Sequence, residues 1–150
     1  MAYSTIEAAA VAVLAKHADY ASSGASQNVS RGDYRILKKG IARVAIFTYG
    51  GLTTEDFTLL RVKHLWTINI DLLVMWPRDA ATFEANLATE RQKIIDTFLT
   101  WPALDATSGV LNALIRSGQE PDSIEAMKGA LRGQRLLLDV KEIVDPNRSE

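Results

Sequence analysis

The chain has 150 residues, 47% of them apolar and 23% charged, with a net charge of −1. That balance is ordinary for a globular protein, and it lacks the concentrated positive field that free-standing DNA binding by bulk charge requires. There is no cysteine, which excludes disulfide scaffolds, thiolate metal sites, iron–sulfur clusters and cysteine nucleophiles. At this length one domain, residues 1–150, is expected, and it needs no staple because it buries roughly 68–70% of its unfolded surface. The run AAAVAVLA resembles a signal h-region, but no Lys or Arg precedes it and Glu7 adjoins it, which is a poor signal pattern. No apolar run approaches the ~18 residues of a membrane span. The expectation is a cytosolic protein.

The first expected element is a helix over residues 5–18. Ser4 and Glu7 have capping-box spacing, in which each side chain satisfies a backbone N–H of the first turn. Ile6, Ala9, Ala10, Val13, Leu14 and His17 fall on one helical stripe. ASSGASQN follows and reads as a flexible loop near residues 21–30. Residues 31–43 form the densest basic stretch, with Arg31, Arg35, Lys38, Lys39 and Arg43 against Asp33.

Residues 42–49 (ARVAIFTY) read as a strand. Gly50 and Gly51 read as a breaker and LTTEDF as a polar excursion. Residues 62–76 then make a long strand. His64, Trp66, Ile68, Ile70, Leu72, Val74 and Trp76 alternate with Leu65, Thr67, Asn69, Asp71, Leu73 and Met75. The even-numbered face belongs to a core. The odd-numbered face is neither plainly wet nor plainly dry. The two strands predict an antiparallel hairpin with a long connection.

Pro77 stops that strand, and Asp79 is placed to cap a helix over residues 80–99. Ala80, Phe83, Leu87, Ile94 and Phe98 cluster on its apolar side, with Arg91 among them. Trp101 followed by Pro102 ends it. Residues 110–115 (VLNALI) predict a short strand, residues 121–133 a short helix or loop, and residues 136–144 a closing strand. Leu136, Leu138 and Val140 share one face of that strand. The tail 145–150 is expected to fray. The order predicts an α+β fold: a mostly antiparallel sheet of about four or five strands, with two main helices packed on one face.

No nucleophile elbow, phosphate loop, dinucleotide fingerprint or zincin motif occurs. His17 and His64 read as core or edge histidines, because a two-His metal site needs carboxylates that spacing does not place. Pairing of Asp71 with Glu55 or Asp56 is conceivable for acid–base work, but eighteen acids make such pairs common by chance. Ser22 and Ser23 have no base beside them by motif. The basic stretch 31–43 reads either as a solvated approach to an edge strand or as contact with an acidic partner or a DNA path. Arg91 reads as a snorkelling side chain or as an ion pair to a neighbouring subunit. No catalytic residue, cofactor or metal is expected.

The early hairpin with "HLWTINIDLLVMW", the helix "NLATERQKIIDTFLTWPAL" and the closing strand "RGQRLLLDVKEI", after an N-terminal helix, resemble the tail terminator (tail completion, or minor tail) proteins of long-tailed bacteriophages. The resemblance covers most of the chain. It implies a non-enzymatic subunit of a homo-hexameric ring in the virion tail. Such a ring caps the tail tube, stops its polymerisation, offers a docking face to the head-completion or neck protein, and passes DNA through its lumen. Under that resemblance Leu65, Thr67, Asn69, Asp71, Leu73, Met75 and Arg91 are candidates for the subunit interface. Arg31, Arg35, Lys38, Lys39 and Arg43 are candidates for the DNA path or a partner contact. Two other classes remain open: an adaptor or assembly chaperone of a phage or secretion system, and a small-molecule-binding or catalytic α+β domain.

Overall fold

A computed structural model describes residues 2–20, 29–31, 43–58, 61–106, 109–116, 124–126 and 130–144. The order is α1 (Tyr3–Leu14), a 3-10 turn (Ala18–Tyr20), β1 (Val29–Arg31), β2 (Arg43–Thr58), β3 (Arg61–Met75), α2 (Ala80–Thr100), β4 (Val110–Arg116), β5 (Ile124–Ala126) and β6 (Leu131–Val144). The strands form one sheet in the order β1-β2-β3-β6-β4, with β5 also paired to β6. Among the described residues only β1 against β2 is parallel; every other pairing is antiparallel. The fold is α+β. The sheet is five strands wide because β4 and β5 share the side of β6 that faces away from β3.

Alternation in β3 aims Trp66, Ile68, Ile70, Leu72 and Val74 at the helices. They form one core with Ile6, Ala10, Val13 and Leu14 of α1, with Phe83, Leu87, Ile94 and Phe98 of α2, and with Leu136, Leu138 and Val140 of β6. Burying each large side chain of this kind stabilises the fold by about 1.5–3 kcal/mol. α2 starts where expected: the Asp79 carboxylate accepts from the Thr82 backbone N–H at 3.2 Å. It ends at Trp101, ahead of Pro102, which cannot continue a helix. Ala80 is exposed, and Glu90 and Thr97 are buried on the stripe in its place.

Several expectations are corrected. Ser4 lies inside α1, whose N-cap is Ala2 with no side-chain hydrogen bond, so no capping box forms. Glu7 instead accepts from the Tyr3 hydroxyl and from Arg31 Nε. The helix ends at Leu14, so His17 lies beyond it. Val29 and Ser30 are buried in β1 rather than part of a loop; residues 21–28 lie outside the described ones. β2 does not stop at Gly50 and Gly51 but runs on to Thr58, whose register partner is Arg61, so only residues 59 and 60 separate the strands. The glycine pair marks a bulge. A Cβ on Gly50 would lie 2.8 Å from both Asn69 Oδ1 and the Thr67 carbonyl, and Gly51 has φ +135°, as bulges that twist a strand require. Within residues 121–133, β5 and the start of β6 replace the expected short helix or loop.

The face of β3 turned away from the helices divides in two. At the Met75 end, Leu73 is paired with Val44, Asp71 with Ile46, and Met75 with Leu131. Val44, Ile46, Leu73 and Leu131 are all buried there. At the Arg61 end, Lys63, Leu65, Thr67 and Asn69 are half-buried.

Candidate functional site

The interface candidates on β3 do not form one patch. Leu73 is 0% and Asp71 1% exposed within the single chain, so neither is available to a neighbour. Asp71 accepts from Arg135 Nε at 2.7 Å and Nη2 at 3.1 Å, a bidentate pair that satisfies a carboxylate removed from water. Met75 is exposed. Thr67 Oγ1 donates to Asp139 Oδ1 at 3.2 Å, and Asp139 accepts from Arg116 Nε at 2.6 Å. Lys63 lies 3.1 Å from Glu55. This half of the face is a cross-strand ladder of polar pairs with Leu65 among them, and such pairs are the units that stabilise a sheet. Arg91 Nη1 donates to Gln134 Oε1 at 2.7 Å and ties α2 to β6.

Of the basic candidates, Arg35, Lys38 and Lys39 lie outside the described residues. Arg31 Nε donates to Glu7 Oε1 at 2.7 Å and its Nη2 to the Ser4 carbonyl at 3.0 Å, which fastens β1 to α1. Arg43 Nε donates to Glu90 Oε1 at 2.6 Å. Both arginines are therefore engaged within the chain.

Glu90 is the hub of a polar cluster beneath the helices that spacing alone did not reveal. Its carboxylate accepts from Arg43, from Lys93 Nζ at 2.8 Å and from the Tyr20 hydroxyl at 3.3 Å. Lys93 Nζ also lies 2.8 Å from Asp19. Burial, with the Glu90 charge beside it, pushes the Tyr20 hydroxyl above the ordinary phenol range. The hydrogen bond from Lys93 holds the Asp19 carboxyl below its ordinary value. One signal was present in the sequence: Glu90 sits between Leu87 and Ile94 at core spacing.

Glu142 is a further buried acid. It accepts from Trp66 Nε1 at 3.0 Å and lies 3.5 Å from His64 Nδ1. Among the described residues His64 Nδ1 has no hydrogen-bond partner, and its ring meets Trp66 edge-on. His17 Nδ1 accepts from the Asp19 backbone N–H at 3.1 Å. The two histidines thus belong to different neighbourhoods. Asp71 is eight residues along β3 from Lys63, the partner of Glu55, or about 27 Å, so the acid pairs conceived from sequence are not assembled. Among the described residues no group of three His, Asp or Glu is placed to hold a metal ion, and no helix is long and apolar enough to cross a membrane.

What remains at the surface is apolar and marginal. Tyr49 and Leu52 of β2 and Leu111 and Leu114 of β4 are exposed; Met75, Leu99 and Trp101 are the other large apolar side chains exposed among the described residues. Sequence reading missed all four of the first group, because burial on a strand depends on whether a neighbour covers it. No family model matches the chain, and no curated protein shows significant similarity to it.

Proposed function

We propose that the chain is a structural subunit of a ring that caps the tail tube of a long-tailed phage or phage-like particle, halts tube polymerisation and presents a docking face to the neck. The observation that carries this reading is the placement of exposed apolar side chains on β4, at one margin of the sheet, and on the stretch of β2 beyond its pairing with β1. A head-to-tail ring needs two different patches on one subunit, and exposed apolar surface is the usual material of such contacts. The buried carboxylates Glu7, Asp71 and Glu90 each accept from a cationic side chain, and their bonds join separate elements. They account for themselves as structure. In this reading Arg35, Lys38 and Lys39 serve the DNA path or a partner.

Mass photometry of the purified chain, with and without tail tube protein, tests this. A species of six subunits that accumulates or is stabilised when tube protein is present supports the ring. A monomer or dimer that binds a different phage or secretion protein in a fixed ratio supports the adaptor class instead.

A further inference from the structure

The margins of the sheet are matched in direction and in level. β2 runs antiparallel to β3, β3 to β6, and β6 to β4, so β2 and β4 run in opposite directions. One end of each margin is covered: β1 pairs with residues 45–47 of β2, and β5 takes residues 131–133 of β6. Following the register across the sheet, Ala45 is level with Leu72 and Gln134, so both covers lie at the same end. At the other end, Thr48 is level with Asn69, Leu137 and Arg116, and Thr54 is level with His64, Glu142 and Val110. Among the described residues nothing pairs with the outer side of residues 48–56, nor with the outer side of β4.

These open stretches carry little of the usual charge protection. A solvent-facing edge is normally guarded by charge, above all Lys. Residues 48–54 carry no charge, Glu55 and Asp56 close the open stretch of β2, and β4 carries only its terminal Arg116. Instead they hold Tyr49, Leu52, Leu111 and Leu114, each between 41 and 55% exposed. Register shifts at Tyr49/Gly51 and Asp56/Thr58 on β2 and at Val110/Asn112 on β4 leave residues 51–56 and 112–116 as the regular portions.

We infer that residues 48–54 of one copy pair antiparallel with residues 110–116 of the next, continuing the sheet from subunit to subunit. Each subunit in a ring whose axis follows the strands presents β4 to a neighbour's β2, and the opposite directions of the two make that junction antiparallel. Because the open stretches are level, the contact repeats by rotation with little rise, and a heterologous contact of that kind closes into a ring rather than a filament. Closure rests on the ring reading above; the edge pairing does not. Backbone N–H and C=O groups supply the affinity, as in other strand additions, and the four apolar side chains add burial.

The cysteine-free chain permits a direct test. Thr53→Cys is made in one preparation, and Asn112→Cys or Leu114→Cys in another. Thr53 is level with Leu65, Lys141 and Asn112, and Leu114 lies two residues along, which covers a stagger of about 7 Å from strand tilt. Paired antiparallel strands place Cα atoms about 4.5–5.5 Å apart, within disulfide reach. The variants are checked for native circular dichroism, mixed at high concentration with and without tail tubes, and oxidised mildly. The expected result is the mixed disulfide, Thr53→Cys to a β4 variant, as the dominant cross-linked species, and a ladder of oligomers from a chain that carries both Thr53→Cys and the β4 substitution. Homodisulfides in excess would mean like edges meeting, and would overturn the proposal. So would the lack of any mixed disulfide in folded protein. Rings imaged on tubes without the mixed disulfide would sink the edge pairing and leave the ring standing. The mixed disulfide with uncapped tubes would do the reverse.

Discussion

Gly133 of β6 lies opposite Leu73 of β3, and Gly133→Ala tests how closely the two strands approach there. A Cβ built there lies 1.7 Å from the Leu72 carbonyl oxygen, 2.8 Å from the Leu72 carbonyl carbon and 3.0 Å from Leu73 Cα. A carbon–oxygen contact needs about 3.3 Å, so one strand must move by about 1.6 Å. The obstacle is backbone, not the end of a flexible side chain. β3 has no room to yield, because Leu72 and Leu73 point to opposite faces and both are fully buried. Overpacking with movable neighbours costs about 1–3 kcal/mol; here a loss of about 3 kcal/mol or more is expected. At about 2–4 °C per kcal/mol for a chain of this size, the melting temperature should fall by about 6–12 °C. Thermal unfolding followed by circular dichroism measures that fall and urea unfolding the free energy, with Thr53→Ala on the exposed edge as a control that should stay within about 0.5 kcal/mol. A Gly133→Ala midpoint that also stays within that margin would refute the close approach and the β3–β6 register behind it.

Three further perturbations probe other parts of the account. Ile70→Asp puts an unpaired charge among Phe47, Leu136 and the helices, and should cost several kcal/mol; a native melting temperature would show that the even-numbered face of β3 is not the core face. Glu90→Ala strips Arg43, Lys93 and the Tyr20 hydroxyl of a shared acceptor and should cost about 1–3 kcal/mol, read as a urea midpoint. Asp96→Ala, on the exposed side of α2, should change far less. The hydrogen bonds from Thr82 hold the Asp79 carboxyl below its ordinary value of 3.8. Its stabilisation is therefore present above that pH and lost as pH falls through the depressed folded value. Asp79→Ala should lower the melting temperature at pH 7, and the gap to the wild type should close in strong acid; a gap that persists there would contradict the cap.

The long periodic elements were legible because one face of each is covered by many residues at once. β3 and α2 announce themselves by strict alternation and by a helical stripe bounded by Asp79 and Pro102. What escaped was decided by neighbours. Three-residue strands such as β1 and β5 carry too few positions for a period and exist because β2 and β6 offer them an edge. Gly50 and Gly51 read as an interruption, since sequence alone does not separate a bulge from a break. Asp71 and Leu73 read as surface because they alternate with the core face, yet this end of the sheet is buried on both sides. The basic residues of the candidate site were visible as a cluster, but Arg31 and Arg43 are consumed by Glu7 and Glu90, partners 24 and 47 residues away in sequence. No local pattern foretells such pairs.

The proposed ring of this chain on the end of a tail tube is open to direct observation. Purified protein is mixed with preassembled tail tubes, more tube protein is added, and the ends are imaged by electron microscopy. The account predicts a ring of six subunits on one end of each tube, with growth arrested at that end. Bare ends that continue to lengthen, in the presence of folded protein, would contradict it.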